Sequence, residues 1–165
     1  MHKEAYAYVR TQVLNLSFDN VVEFGSLDIN GSVRGLFDTD SYYGIDLQEG
    51  PGVDEIADAA TWESPEGEVD CIVCCEVLEH APNVLGIIAN AYRNLGQNGL
   101  LIITCATNPR QPHSAIDGGP KRANEWYENV EAETLRRAFK NSFQIVDLTV
   151  SRERGDLYCV ARKLT

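Results

Sequence analysis

Apolar residues recur at helical spacing over residues 3–16, at Ala5, Val9, Val13 and Leu16, which predicts an opening helix. The period then changes. Asn20 to Phe24 is a short apolar run and reads as a strand, followed by a short helix over Gly31 to Phe37 opened by Asn30 and Ser32. "SYYGIDL" predicts a second strand ending at Asp46. "GPG" at 50–52 breaks the chain, "VDEIADA" is a brief third strand, and "TWESPEGE" is a polar loop. "VDCIVCCEV" is a fourth strand. Pro82 suits the first turn of a helix that runs to about Leu95, with Val84, Leu85, Ile88, Ala91, Tyr92 and Leu95 on its apolar face and Gly96 as its end. "LLIITCA" is a fifth strand, apolar enough for burial on both faces. Residues 107–130 show no period and carry Pro, Gly, Asn and charge. "EAETLRRAFKN" is a helix, and "FQIVDLTVS" and "DLYCVARKL" form a hairpin across "RERG".

This alternation predicts an α/β protein. A mostly parallel sheet of seven strands carries helices on both faces and one antiparallel strand near the C-terminus. The 165 residues suffice for a single domain spanning 1–165. An unpatterned connection as long as 107–130 is expected to be functional, here a lid over a substrate.

Charge narrows the partners. The formal net charge is −11 and repels polyanions, so nucleic acid is not an expected substrate. Arg110, Lys121 and Arg122 in the long loop, with Arg136 and Arg137 in the last helix, are the candidates for a local basic patch. No apolar run is long enough to span a membrane, and the start "MHKEAYAYVRTQV" has no apolar signal core. Cys71 and Cys74 have CxxC spacing, but residues three apart on a strand face opposite ways. The cysteines are therefore expected to be reduced core residues rather than metal ligands, no metal is expected, and a cytoplasmic location follows.

Ligands of such sheets bind beyond the carboxyl ends of the strands, where strand order reverses. The residues falling there are acidic. Glu23, Gly25, Ser26, Asp28 and Asn30 follow the first strand, Asp46 ends the second, Asp58 and Ala59 follow the third, and Cys75, Glu76 and His80 follow the fourth. A carboxylate at Asp46 can accept hydrogen bonds from both hydroxyls of a ribose. Glu23 and Asp28 near the first turn favour a cationic group over a pyrophosphate. No GxxxxGK[ST] or GxGxxG motif is present; Leu27 and Ile29 stand where glycines would. A positively charged nucleoside, such as S-adenosylmethionine, meets these demands.

"VVEFGS", "YYGIDL", "VDCIVCCEVLEHAPN" and "LGQNGLLIIT", in that order, resemble the class I S-adenosylmethionine-dependent methyltransferases of the methyltransferase domain type 11 group. The resemblance implies a Rossmann-like three-layer sandwich. It implies that Glu23, Gly25 and Ser26 border the methionine part of S-adenosyl-L-methionine, that Asp46 binds the ribose with Leu47 against the adenine, and that Asp58 and Ala59 meet the adenine edge. Cys75 and Glu76 would line the floor. The altered first loop implies an approach to the cofactor from Ser26 and Asn30, with Asn30-Gly31 supplying the bend. The expected acceptor is a small molecule or another non-polyanionic group. If it must lose a proton, His80 and His113 are the candidate bases; Trp126 and Tyr127 anchor the lid or stack on a flat substrate. The base-methylating motif (D/N/S)PP(Y/F/W) does not follow the fourth strand, and no Pro precedes a Cys. The alternatives are a cofactor-binding partner without activity and, given the shared early topology, a nicotinamide-dependent oxidoreductase. The sequence does not specify the oligomeric state.

Overall fold

The structure is a computed structural model that describes residues 2–65 and 67–165. Met1 and Glu66, the latter inside the predicted polar loop, lie outside the described residues. The elements run α1 (Lys3–Val13), β1 (Asn20–Phe24), β2 (Ser41–Asp46), β3 (Glu55–Ile56), β4 (Val69–Cys75), α2 (Val84–Asn94), β5 (Leu95–Ala106), α3 (Ala132–Phe139), β6 (Phe143–Ser151) and β7 (Asp156–Lys163). One sheet holds all seven strands in the order β3-β2-β1-β4-β5-β7-β6. β1 pairs in parallel with β2 and β4, and β4 with β5. β7 runs antiparallel to both β5 and β6, as the terminal hairpin requires.

Side chains alternate across the buried strands. Val22, Phe24, Ile72, Cys74, Leu101, Ile103, Leu157 and Cys159 point to one face, where Ile87, Ile88 and Ala91 of α2 and Leu135 and Phe139 of α3 cover them. Val21, Cys71, Val73, Leu100, Ile102 and Val160 point to the other, beneath Val9 and Val13 of α1. Cys71 and Cys74 thus lie on opposite sides of the sheet. All five cysteines are free and buried. Burial raises each of their pKa values, Cys159 to about 12, so they persist as thiols.

Several expected elements differ. The helix expected over Gly31 to Phe37 is a single 3-10 turn, Arg34–Leu36. Its Arg34 N–H bonds to the Ser32 hydroxyl, Gly35 lies within it, and a segment this short cannot offset the cost of helix nucleation. The aromatic residues Phe18, Phe37 and Tyr42 fill the face instead, with ring centroids 5.8 and 5.5 Å apart along the series. β3 shortens to two exposed residues at the sheet edge. α2 starts at Val84 rather than Pro82, because the Asn83 side chain caps it by accepting from Gly86 N–H. Its buried face holds Ile87, Asn90 and Asn94, while Leu85 is exposed. Gly96 does not end the helix in the left-handed region; the chain passes directly into β5, and Asn98 takes the positive φ of 64°. Trp62, expected in a polar loop, is buried. It stacks on Tyr43 and donates its indole N–H to Glu55 at 2.8 Å.

Candidate active site

Strand order reverses between β1 and β4, and a cleft of about 1010 Å³ opens beyond the carboxyl ends of these strands. Single-ligand pockets occupy roughly 300–1,000 Å³, so this cleft has room for a cofactor and a small acceptor together. All twelve residues expected at the site line it: Glu23, Gly25, Ser26, Asn30, Asp46, Leu47, Asp58, Ala59, Cys75, Glu76, His80 and His113.

The loop after β1 is fixed by its own backbone. Gly25 and Ser26 N–H both donate to Ile45 O, at 2.8 and 3.0 Å, and Asp28 N–H donates to Pro51 O at 2.8 Å. Gly25 has φ +78°, and a Cβ there would lie 2.1 Å from Val77 Cγ2. The loop therefore closes against the turn after β4 and the "GPG" bend without the alternating glycines of the usual pattern. Ser26 is buried, and its Oγ has no hydrogen-bond partner. Such an orphaned hydroxyl beside a cleft is what a polar ligand would satisfy. Asn30 is exposed on the rim.

Asp46 faces inward. Leu27 N–H donates to its Oδ2 at 3.3 Å and Gln48 N–H to its Oδ1 at 3.1 Å, which orients the carboxylate and leaves a lone pair on each oxygen. Leu47 is 70% exposed, an apolar side chain with its face free for a flat ligand. Asp58 forms a turn in which its Oδ1 accepts from Ala60 N–H at 2.8 Å. Asn90 pins this loop from α2 by donating to Ala59 O at 2.9 Å and Trp62 O at 2.7 Å. The sequence pattern, which placed only apolar residues on the buried face of α2, gave no sign of this buried amide.

Glu23 is 5% exposed and accepts from the Tyr42 hydroxyl at 2.8 Å. Burial pushes its pKa up to about 7, although Tyr42 and Arg34 oppose the shift. Cys75 ends β4, and Glu76 takes a left-handed φ of 58°, a sparsely populated conformation typical of functional turns. Its N–H bonds to Thr104 O, and Thr104 donates to its Oε1 at 2.8 Å. Burial raises the Glu76 pKa, but His2 and Thr104 outweigh this and hold it below the usual carboxylate range.

Sequence patterns missed the partners on that wall. His2, just ahead of α1, lines the cleft with Nε2 3.2 Å from Glu76 and 3.6 Å from Asp156. Contact with Glu76 raises its pKa, against the opposing effect of burial. Buried Asp156 also pairs with Arg110 and accepts from the Tyr158 hydroxyl at 2.9 Å. Of the candidates for a basic patch in the loop, Arg110 is paired with Asp156 and Arg122 with Asp117. His2 sat outside every motif, and Asp156 read as the first residue of a strand.

The segment 107–131 has no helix or strand but is internally bonded. Asn129 donates to Asn108 at 3.1 Å and to Arg110 O at 2.9 Å, and Ser114 donates to Glu125 at 2.6 Å. Its residues Arg110 to Ala115 and Gly118 to Pro120 form one side of the cleft. Tyr127 is the anchor, with its ring 5.4 Å from His80 and 4.9 Å from His113. Trp126 is 47% exposed and does not serve as a buried anchor. The rings of His80 and His113 meet edge-on at 4.9 Å. Burial, aided by His113, pushes the His80 pKa down to about 4, so His80 is neutral and weakly basic.

The family model described as "Methyltransferase domain" matches residues 15–147. No curated protein sequence matches the chain. Among solved structures, the chain is similar to the N-methyltransferase NodS from Bradyrhizobium japonicum WM9 in complex with S-adenosyl-L-homocysteine, at a TM-score of 0.67 and 15% identity over 98% of this chain and 86% of that one. It is also similar to Burkholderia thailandensis 1,6-didemethyltoxoflavin-N1-methyltransferase, at a TM-score of 0.66 and 19% identity over 99% and 78%. A third similar structure is magnesium protoporphyrin IX methyltransferase from Synechocystis PCC 6803 with bound S-adenosylmethionine, at a TM-score of 0.67 and 18% identity over 98% and 79%.

Proposed function

The chain belongs to the methyltransferase-domain family, and on that premise we propose that it transfers a methyl group from S-adenosylmethionine to a small-molecule or other non-polyanionic acceptor. The observation that carries this reading is the inward-facing Asp46 carboxylate, held by two backbone N–H groups at the end of β2 beside an open cleft. It would accept from both ribose hydroxyls. Leu47 and the Asp58–Ala59 turn would hold the adenine, with the Ser26 hydroxyl and the Glu23 and Glu76 walls beside the methionine part. The bound donor supplies an electrophilic methyl group and a neutral thioether leaving group. The chain's own task is to align the acceptor with that methyl and keep water out.

The second half of the cleft, bounded by His80, His113 and the 107–131 segment, is assigned to the acceptor. Small molecules fit its size, and the similar structures include enzymes whose names specify toxoflavin precursors and protoporphyrin. His80 is too weakly basic to deprotonate an ordinary alcohol and lines the acceptor side as a neutral imidazole. No helix among the described residues is long and apolar enough to cross a membrane. A reducing compartment such as the cytoplasm suits five free, buried thiols.

Incubation with methyl-labelled S-adenosylmethionine and a panel of small acceptors, proteins and nucleic acids tests this. Label is expected in a small-molecule fraction. Transfer into DNA or RNA would refute the acceptor class, and intact donor binding with no transfer to any acceptor would favour an inactive cofactor-binding protein.

A further inference from the structure

Three side chains able to ligate a metal converge on the acceptor side of the cleft. One ligand atom from each of Glu79, His80 and His113 lies within 4.8 Å of the other two. Glu79 is wholly buried. Its Oε1 accepts from Ala106 N–H at 3.0 Å, but its Oε2 has no partner, and neither has the buried His80 Nδ1. Leaving such atoms unsatisfied costs about 1–3 kcal/mol each. Both belong to the same cluster, and a cation placed among these groups would satisfy the two at once.

The remaining geometry agrees. His113 Nδ1 lies 3.2 Å from Gln111 O, so Nδ1–H donates there and the Nε2 lone pair stays free. This is the backbone-oriented tautomer common among metal-binding imidazoles. The ligands come from two separate segments, the turn after β4 and the 107–131 loop, so an ion would tie the loop to the sheet. Ligand atoms of a tetrahedral site lie roughly 3.3–3.5 Å apart, so the three groups would draw together by up to about 1 Å on binding. His113 lies outside the sheet, in a segment closed on itself by the His113–Pro120 bridge, so that segment would shift as a unit. The net charge of −11 raises the local concentration of cations.

We propose that Glu79, His80 and His113 bind a divalent transition-metal ion of the zinc class, leaving one coordination position open toward the methyl acceptor. Two imidazoles and a carboxylate with an open position are the donor set of catalytic rather than structural ions. Bound there, the ion would hold an oxygen or sulfur of the acceptor and lower the pKa of its proton, which leaves to solvent. With the ion in place the deprotonation needs no protein base. Only the role of the open position rests on the methyltransferase reading; the ion site does not.

The test uses the full chain, stripped with a chelator and titrated with cobalt(II). The expected result is saturable binding of one equivalent, with visible absorption typical of low-coordinate cobalt, displaced by zinc. His113→Ala should weaken binding by more than the roughly 10–100-fold that loss of an outer-shell partner costs. Glu79→Gln should act in the same direction. His113 lies on a loop, so its variant remains informative if the buried Glu79 change fails to fold. No saturable cobalt binding, or undiminished binding by His113→Ala, overturns the site. S-adenosylhomocysteine is titrated separately into the stripped protein. Its binding without any metal binding removes the ion alone, and loss of both removes the methyltransferase reading as well.

Discussion

Glu23 shows how one buried group links stability to ligand charge. Its pKa rises from 4.5 to about 7 on folding because burial disfavours the carboxylate. Between those values the native state holds a proton that the unfolded chain has released. Stability therefore falls as pH rises from about 4.5 to 7, by on the order of 3 kcal/mol. Denaturant melts at pH 5 and pH 8 should show this drift, and Glu23→Gln should reduce it. The same residue predicts a difference between ligands. S-adenosylmethionine carries a positive sulfur that its demethylated product lacks, so ionised Glu23 favours the donor. The ratio of donor to product affinity should increase as pH rises through 7, and Glu23→Gln should flatten it. Gly25 is under a steric constraint rather than an electrostatic one. A Cβ would meet Val77 at 2.1 Å, at a φ of +78°. Gly25→Ala should cost about 1–2 kcal/mol for the backbone conformation alone, before the overlap is counted. Calorimetric melting should register this as a fall of several degrees, at about 2–4 °C per kcal/mol for a chain of this size.

At the scale of elements, the sheet was legible because its strands are buried on both faces. "VDCIVCCEV" and "LLIITCA" are continuous apolar runs that only a central strand accommodates, and the hairpin over "RERG" has an unambiguous turn. What sequence could not convey were elements set by contacts between distant residues. The segment 31–37 stays a single 3-10 turn because aromatic packing from Phe18 and Tyr42 replaces a helix. Trp62 sits inside because Tyr43 and Glu55 receive it. The candidate site was legible for a different reason. Its residues sit at strand ends, and strand ends are set by the same hydrophobic pattern. His2, which lines the cleft, and its buried partner Asp156 escaped notice because they come together from opposite ends of the chain. The buried amides of α2 yield a prediction at this scale. Asn90→Ala leaves Ala59 O without its donor, while Trp62 O keeps Asn94 at 3.2 Å. The change should cost about 1–3 kcal/mol. It should also loosen the Asp58–Ala59 turn, so affinity for S-adenosylhomocysteine should fall together with the melting temperature.

The whole molecule is an acidic α/β sandwich whose candidate site lies at one end of its sheet. The sheet order reverses once, between β1 and β4, and the loops from β1, β2, β3, β4 and β5 converge there. The sequence has no glycine-rich phosphate-binding motif for that end. Instead the cleft offers oriented carboxylates, an unpartnered hydroxyl and apolar walls, which together suit a cationic nucleoside. The −11 charge acts in the same sense, favouring a cationic ligand and opposing nucleic acid. The grip of Asp46 on the ribose is the claim on which the proposed cofactor depends, and titration calorimetry with S-adenosylhomocysteine tests it most directly. Wild type should bind one equivalent, and Asp46→Ala should lose about 1.5–3 kcal/mol, roughly 10–100-fold in affinity, as removal of a charged hydrogen-bond acceptor does. Absence of binding by wild type, or equal affinity in the variant, would contradict it.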